Sequence, residues 1–356
     1  MPPPTIGSSP KIMPARPRKL LVTGGAGYIG SHVVKALGEQ GESVVVFDNL
    51  STGYAWSVDG AELVVGDLGD HRALETLFAA HRFEAVLHFA ASIWVGESVR
   101  DPVKYYRNNV ANALNLFAMA KDQGVAHVIF SSTAAVYGEP DAELLDENLP
   151  SAPINPYGAS KMMAERLLQD IASTCDMTFA ILRYFNVAGA DPKGRIGEAT
   201  PDNSHLVKIA CETALGLRAA MSINGTDYPT ADGTCIRDYI HVEDLAAAHV
   251  AALDHLRQGN PSTICNCGYG HGQSVREVID MVREISGVDF DILDGPRRAG
   301  DPPRLVASND KIRSLFGWRP RFDDLHLIVE TAWRWEQILN EKRSVMKGTT
   351  ALGGSV

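Results

Sequence analysis

Lys19-Leu20-Leu21-Val22-Thr23-Gly24-Gly25-Ala26-Gly27-Tyr28-Ile29-Gly30-Ser31 is the stretch on which the fold turns. Its first four residues are a short, mostly apolar run closed by glycines, the pattern of a buried strand. Ser31-His32-Val33-Val34-Lys35-Ala36-Leu37 then reads as a helix ending near Gly41, and Ser43-Val44-Val45-Val46-Phe47-Asp48 as a second buried strand. A G-x-G-x-x-G pattern alone is weak. One that follows a strand and opens a helix inside a strand–helix–strand unit is the phosphate turn of a dinucleotide site. Gly24 permits the tight turn, Gly27 lets the backbone approach a pyrophosphate, and Gly30 lets helix and strand pack closely. The helix N-terminus adds free N–H groups and partial positive charge.

Working outward, the alternation continues. Strands are expected at Glu62–Asp67, Ala85–Ala90 and His127–Ser132, with helices at Ala73–His81 and from about Pro102 to Gln123. Apolar strands alternating with helices imply a parallel sheet covered on both faces. The pattern loosens after Gly189 into segments rich in Gly, Pro and Asp, with two expected returns to the sheet near Tyr239–Val242 and Thr263–Cys267. The expected fold class is therefore α/β: a Rossmann-type doubly wound parallel sheet with a smaller C-terminal α/β substrate lobe. Residues 18–189 form the dinucleotide domain, with returns near 237–250 and 262–268, and 190–343 form mainly the second lobe. The proline-rich segment 1–17 and residues 344–356 have the composition of flexible tails. Met13 is an alternative start.

Composition narrows the function. The 356 residues are enough for one large domain or two intimate ones. A formal net charge of -10 argues against nucleic-acid binding, which needs a basic face. No apolar run approaches the roughly 18 residues of a membrane span, and no secretory h-region opens the chain. The five cysteines lack zinc-ligand spacing, and Cys265 and Cys267 fall on one face of a strand. A metal-free protein of the reducing cytoplasm is the expectation.

Two features turn the dinucleotide site into a chemical one. Asp48 ends the second strand, where a carboxylate accepts bonds from ribose hydroxyls and repels a 2′-phosphate. Asn49 and Leu50 follow it with no arginine, so NAD is favoured over NADP. Asp67, with Leu68 after it, closes the third strand within reach of an adenine, a structural aspartate being the alternative. Farther on, Tyr157 and Lys161 are four apart in a helical run, on one helix face. Such a pair is often mere surface. Beside a dinucleotide it makes a general base, because a nearby ammonium and a cationic nicotinamide both favour phenolate.

With these residues in place, the chain resembles the extended short-chain dehydrogenase/reductase superfamily and, within it, the UDP-glucose 4-epimerase family. The likeness runs from about Lys19 to Glu336 through His88-Phe89-Ala90-Ala91, Val95-Gly96-Glu97-Ser98, Ser131-Ser132-Thr133, Val136-Tyr137-Gly138, Asn155-Pro156-Tyr157-Gly158, Arg183-Tyr184-Phe185-Asn186, Arg237-Asp238-Tyr239-Ile240-His241-Val242, Arg297-Arg298 and Gly300-Asp301. The resemblance implies reversible C4 epimerisation of a UDP-sugar on a resident NAD through a 4-keto sugar. Tyr157 would be the base, Lys161 its electrostatic partner, and Thr133 a hydroxyl on the sugar oxygen. Gly24, Gly27, Tyr28, Ile29, Gly30, Asp48, Asn49, Leu50, Asp67, Leu68, Phe89, Ala90, Ala91 and Asn108 would touch the cofactor. Phe185 would pack on the nicotinamide, with plain core packing as the alternative. Arg237 and Arg298 would clamp the diphosphate, Asp301 the uridine ribose, and Asn186 the phosphate or sugar. A homodimer through helices near 102–123 and 157–172 is implied too.

The residues also discriminate within that superfamily. Dehydratases and decarboxylases resembling this chain carry an acid just before the Val-Tyr-Gly, where Ala134 and Ala135 stand. Neither alanine can move a proton at C5 or C6. Three positions depart from the pattern: Ile93 replaces a lysine that touches the cofactor, His205 an asparagine on the pyrophosphate, and Leu305 a large aromatic that bounds the pocket at the sugar 2-position. UDP-N-acetylhexosamine and the UDP-xylose/UDP-arabinose pair therefore stay open as substrates. A net sugar or steroid dehydrogenase and a non-catalytic NAD sensor are the alternatives of a different class.

Overall fold

The computed structural model describes residues 18–352 except 201–202 and 299–300, with side chains described up to residue 343. The expected tail 1–17 and residues 353–356 lie outside it. β1 (Lys19–Thr23) leads through the glycine turn into α1 (Tyr28–Glu39) and β2 (Val44–Asp48). Then come β3 (Glu62–Val65), α2 (His71–Ala80) and β4 (Phe83–His88). α3 (Val95–Arg100) precedes a helical run made of α4 (Pro102–Tyr105), a π-helical segment (Tyr106–Ala111) and α5 (Asn112–Asp122). β5 (His127–Thr133), α6 (Pro156–Ala172) and β6 (Thr178–Tyr184) complete this part.

Shorter elements follow. They are β7 (Asn186–Ala188), α7 (Leu206–Ala214), β8 (Met221–Asn224), β9 (Ile236–Arg237), β10 (Tyr239–His241) and α8 (Val242–Arg257). β11 (Thr263–Cys267), β12 (Gln273–Ser274), α9 (Val275–Ser286), β13 (Ile292–Gly295), β14 (Arg304–Leu305), α10 (Asp310–Phe316) and α11 (Leu325–Leu352) end the chain.

The large sheet has seven strands in the order β11-β6-β5-β4-β1-β2-β3, and every pairing in it is parallel. Alternation within each strand sends Leu20, Val22, Val44, Val46, Leu87 and Ile129 to one face, under α1 and α8. Leu21, Val45, Phe47, Val86, Val128 and Phe130 go to the other, under α2, α5 and α6. Burying a side chain of this kind contributes roughly 1.5–3 kcal/mol, so both faces hold the sheet. The chain order reverses between β1 and β4, and ligands of such sheets sit at that crevice, beyond the strands' carboxyl ends.

Two expectations need correction. Thr263–Cys267 does return to the large sheet beside β6, but Tyr239–His241 pairs with β7 in a separate two-stranded sheet. The chain leaves the large sheet after Tyr184, so the partner β10 meets is β7, already displaced. What comes back to the sheet there is α8, whose Leu245, Ala246, Ala248, Ala252 and Leu253 are buried on that face. At the other end, residues 344–352, expected to belong to a flexible tail, continue the helix α11 to Leu352. No proline interrupts that stretch, and an established helix propagates one hydrogen bond per residue.

Candidate active site

The glycine turn closes over the carboxyl end of β1. Gly24 has a left-handed φ of +70, and a Cβ there would sit 2.4 Å from the backbone nitrogen of Ala90. A Cβ on Gly30 would lie 2.3 Å from the carbonyl oxygen of Gly24. Packing of the chain on itself thus requires both. Gly27 differs: its Cβ would meet only the Gly24 carbonyl oxygen, at 3.3 Å. It also caps α1 with no side chain bonded to the first-turn N–H groups. That open cradle at a helix N-terminus fits a diphosphate. Half-buried Tyr28 and Ile29 begin the helix, and Tyr28 Oη donates to the Gly189 carbonyl just after β7 at 2.6 Å.

The acidic partners shape the adjoining loop. Asp48 is buried at the end of β2, and its carboxylate accepts the N–H groups of Ala26 at 2.9 Å and Leu50 at 2.8 Å. It therefore ties the glycine turn to Leu50, which has the positive φ of 57 that a non-glycine residue adopts only when held. Asn49 Nδ2 donates to Asp67 at 2.6 Å, and Asp67 also accepts the Gly69 N–H at 2.7 Å. Both side chains are exposed at the sheet's end, whereas Leu68 is buried. Phe89 and Ala90 both donate backbone N–H groups to the Thr23 carbonyl, so the loop that Ala91 continues lies against the turn. Asn108 bonds Ser92 Oγ at 3.1 Å. Its neighbour Asn109, which the sequence did not single out, is buried and holds that loop harder. It accepts the Ser92 N–H at 2.8 Å and donates to the Ser92 carbonyl at 2.9 Å and to Ser160 Oγ at 3.0 Å.

Tyr157 comes to the same sheet end. Asn155 caps α6 by accepting the Gly158 N–H at 2.9 Å and Pro156 begins it, so Tyr157 lies in the first turn. Thr133 is the last residue of β5 and its hydroxyl accepts the Ala135 N–H at 3.1 Å. Tyr157, Lys161 and Thr133 are all buried. Here the structure corrects one expectation. The Tyr157 phenol is held above its ordinary pKa, because burial outweighs the hydrogen bond from Thr133 that pulls it down. Burial likewise drives Lys161 down to about 7, against the pull of Glu165. The Lys161 ammonium donates to the Ser131 carbonyl at 2.8 Å. Ala134 and Ala135 bring no acid to this place. Phe185 packs with Ala134, Val136, Tyr137, Leu145 and Ala307, so core packing accounts for its burial, and Leu305 lies half-buried against that cluster.

The second-lobe residues are only partly gathered. Asn186 is exposed at the start of β7. Arg237 is buried and ion-paired with Asp301 instead of standing apart from it. Arg298 is exposed, and its carbonyl accepts the Asp301 N–H at 3.3 Å. His205 bonds Glu198 at 2.7 Å, and that carboxylate raises the imidazole above its ordinary pKa against the effect of burial. Arg237 and His205 thus each meet a carboxylate of the chain, Asp301 far along it and Glu198 only 7 residues away.

Comparison with known proteins agrees with this geometry. Residues 20–268 match the NAD dependent epimerase/dehydratase family. A UDP-glucose 4-epimerase of Azospirillum brasilense is 53% identical over 328 residues, 92% of this chain and 94% of that one. A crystal structure of UDP-glucose 4-epimerase from Brucella ovis in complex with NAD superposes with a TM-score of 0.87 at 42% identity, covering 89% of this chain and 98% of that one. The UDP-Glc/GlcNAc 4-epimerase of Campylobacter jejuni gives a TM-score of 0.80 at 46% identity over 90% of this chain and all of that one, 100%. The chain belongs to the NAD-dependent epimerase/dehydratase family and, within it, to the UDP-glucose 4-epimerases.

Proposed function

We propose that this enzyme interconverts UDP-glucose and UDP-galactose by inverting C4 of the sugar, with NAD as a resident cofactor. The observation that carries the reading is a buried Tyr157–Lys161–Thr133 cluster with no second acid or base at Ala134 and Ala135. One proton-moving group suffices for C4, whereas elimination at C5 and C6 needs more. The cradle of Gly24, Gly27 and Gly30 with the free N–H groups of Tyr28 and Ile29 would hold the diphosphate of NAD. Asp48, Asn49, Leu50, Asp67 and Leu68 would hold its adenosine half, and Phe89, Ala90, Ala91, Asn108, Lys161 and Phe185 its nicotinamide half. Bound NAD supplies hydride acceptance and hydride return. Tyr157 Oη takes the proton of the sugar 4-hydroxyl and gives it back after the sugar presents its other face. Thr133 orients that oxygen, and Lys161 offsets the charge on the phenolate. In the second lobe Arg237, Arg298, Asp301, Asn186 and His205 would grip UDP. The Arg237–Asp301 pair opens to let the guanidinium take a phosphate fork-on, the geometry in which arginine binds oxyanions best.

Leu305 favours a second reading on the same chemistry. A half-buried leucine beside Phe185 is smaller than an aromatic ring and leaves room at the sugar 2-position, and the Campylobacter jejuni relative carries both sugars in its name. Incubation of the purified protein with UDP-galactose and no added cofactor tests the main reading: UDP-glucose should form. Absence of UDP-glucose together with consumption of added NAD would mark a net dehydrogenase instead. Relative rates on UDP-galactose, UDP-N-acetylgalactosamine and UDP-xylose then decide the sugar.

Among the described residues no helix is long and apolar enough to cross a membrane. The enzyme is proposed to work in the cytoplasm as a homodimer. Residues 18–189 with the returns near 237–250 and 262–268 serve as its cofactor half, and residues 190–343 mainly as its UDP-sugar half.

A further inference from the structure

We infer that Glu165 is a positioning residue for the reaction: one helical turn from Lys161 and clamped by Arg183 and Ser132, it locks α6 and β5, which carry the catalytic groups, to β6. This rests on the reading above. Glu165 lies one helical turn beyond Lys161 on α6 and is 2% exposed. Arg183 on β6 grips it from the side, Nε reaching Oε1 at 3.0 Å and Nη2 reaching Oε2 at 2.6 Å. Ser132 on β5 donates its hydroxyl to the same carboxylate. Arg183 is itself fixed, 4.9 Å above the Tyr137 ring and bonded to Ser151 Oγ at 3.2 Å. One carboxylate thus joins α6, which carries Tyr157 and Lys161, to the residue before Thr133 and the residue before Tyr184.

The cluster is costly if its purpose is stability. A buried ion pair is often matched or bettered by apolar residues of similar volume, so its presence beside a reactive centre points to an electrostatic task. Lys161 supplies the need. Its ammonium faces the Ser131 carbonyl at 2.8 Å and the Phe130 ring at 4.8 Å on β5. Tyr157 and Glu165 stand near it on α6. From β4 comes His88, which donates or accepts with Thr23 Oγ1 at 2.7 Å and is kept neutral by burial, down to about 3. From β6 come Arg183 and Tyr184, whose hydroxyl accepts from Ser131 Oγ at 3.0 Å. In this set Glu165 is the carboxylate that favours the charged lysine, and burial acts against it.

Glu165→Gln tests this on the NAD-loaded enzyme, by the pH dependence of kcat for UDP-galactose to UDP-glucose. Removal of the carboxylate lets Lys161 lose its proton at lower pH. The basic limb of the profile should move down by about one pH unit or more, the effect of one close charge. Activity relative to the unmodified enzyme should then fall about tenfold further at pH 9 than at pH 6, with KM for UDP-galactose within about twofold. Glu165→Asp should keep the limb in place. Glu165→Gln with Arg183→Gln leaves no unpaired guanidinium, so it folds if the single variant does not, and its limb should move the same way. A uniform loss at every pH, or a rise in KM alone, would overturn the inference and leave Glu165 a purely structural residue. Failure of the unmodified enzyme to form UDP-glucose would strike the proposed function instead.

Discussion

Tyr157 owes its place to three neighbours: Asn155 caps the helix, Pro156 starts it, and Gly158, whose Cβ would lie 2.4 Å from the Ala135 carbonyl oxygen, lets it approach β5. Phenylalanine keeps the ring's packing and removes only the proton carrier. Tyr157→Phe should lower epimerisation by at least about 10²–10⁴-fold, the span of general acid–base contributions, while bound nucleotide per chain and thermal unfolding stay unchanged. Near-normal turnover would rule Tyr157 out as the base. Gly30→Ala is the opposite kind of change, since its Cβ would stand 2.3 Å from a backbone oxygen that cannot yield without moving the turn. A loss of about 1–3 kcal/mol by urea unfolding is expected, together with weaker NAD retention on gel filtration. An alanine variant as stable and as nucleotide-loaded as the parent would mean that the turn is looser than its packing implies. The glycines, Asp48, Tyr157 and Lys161 were legible in the sequence because each belongs to a short pattern: a strand–turn–helix, a strand end or a four-residue helical spacing. Asn109 and Glu165 were not singled out, although Glu165 repeats the four-residue spacing from Tyr157 to Lys161, because their partners Ser92, Ser160, Ser132 and Arg183 meet them only after folding.

At the scale of elements, α1 and the N-terminus of α8 are joined by charge. Glu243 bonds the buried His32 and accepts Lys35 Nζ at 2.6 Å, and Lys35 also reaches Asp191 at 2.9 Å. Burial lowers the His32 pKa against the pull of Glu243, and Lys35 is the second partner of that carboxylate. Despite its burial, Glu243 is drawn from 4.5 down to about 2 by these partners. A carboxylate depressed on folding adds stability that is fully present above its unfolded pKa and vanishes as the pH falls through the folded one. Here that window runs from about 4.5 to about 2, and the gain is on the order of 2 kcal/mol. Glu243→Gln should therefore unfold more easily in urea at pH 7 and differ less from the parent at pH 2.5. Equal differences at both pH values would assign the contact no electrostatic share. The same element scale explains the displaced β10: a three-residue strand pairs with whatever edge is beside it, and β7 had already stepped off the large sheet.

For the whole molecule, exposed apolar side chains occur on the helices expected to pair, near 102–123 and 157–172, and on α3 just before them. Val99 is 64% exposed on α3 and Val103 60% on α4, with Tyr106, Leu114 and Met163 exposed nearby. Exposed apolar residues that cluster on a surface mark an interface. Analytical ultracentrifugation at micromolar concentration should find a dimer for the parent. The Val99→Glu/Val103→Glu variant should sediment as a folded monomer with an unchanged far-ultraviolet dichroism spectrum. A parent that sediments as a monomer would refute the dimer.

Two kinds of information thus divide the protein. By itself, the sequence determined the order of the strands from β1 to β5, the glycine turn, the preference for NAD and the spacing of the tyrosine–lysine pair. Backbone periodicity, turn geometry and one helical turn's spacing all arise among residues close in the chain. Only the tertiary structure decided that Arg237 meets Asp301, that Glu165 is clamped by Arg183, and that burial holds the Tyr157 proton more tightly than its neighbours release it. Desolvation and long-range ion pairs depend on what the folded chain places around a group, and no local pattern carries that.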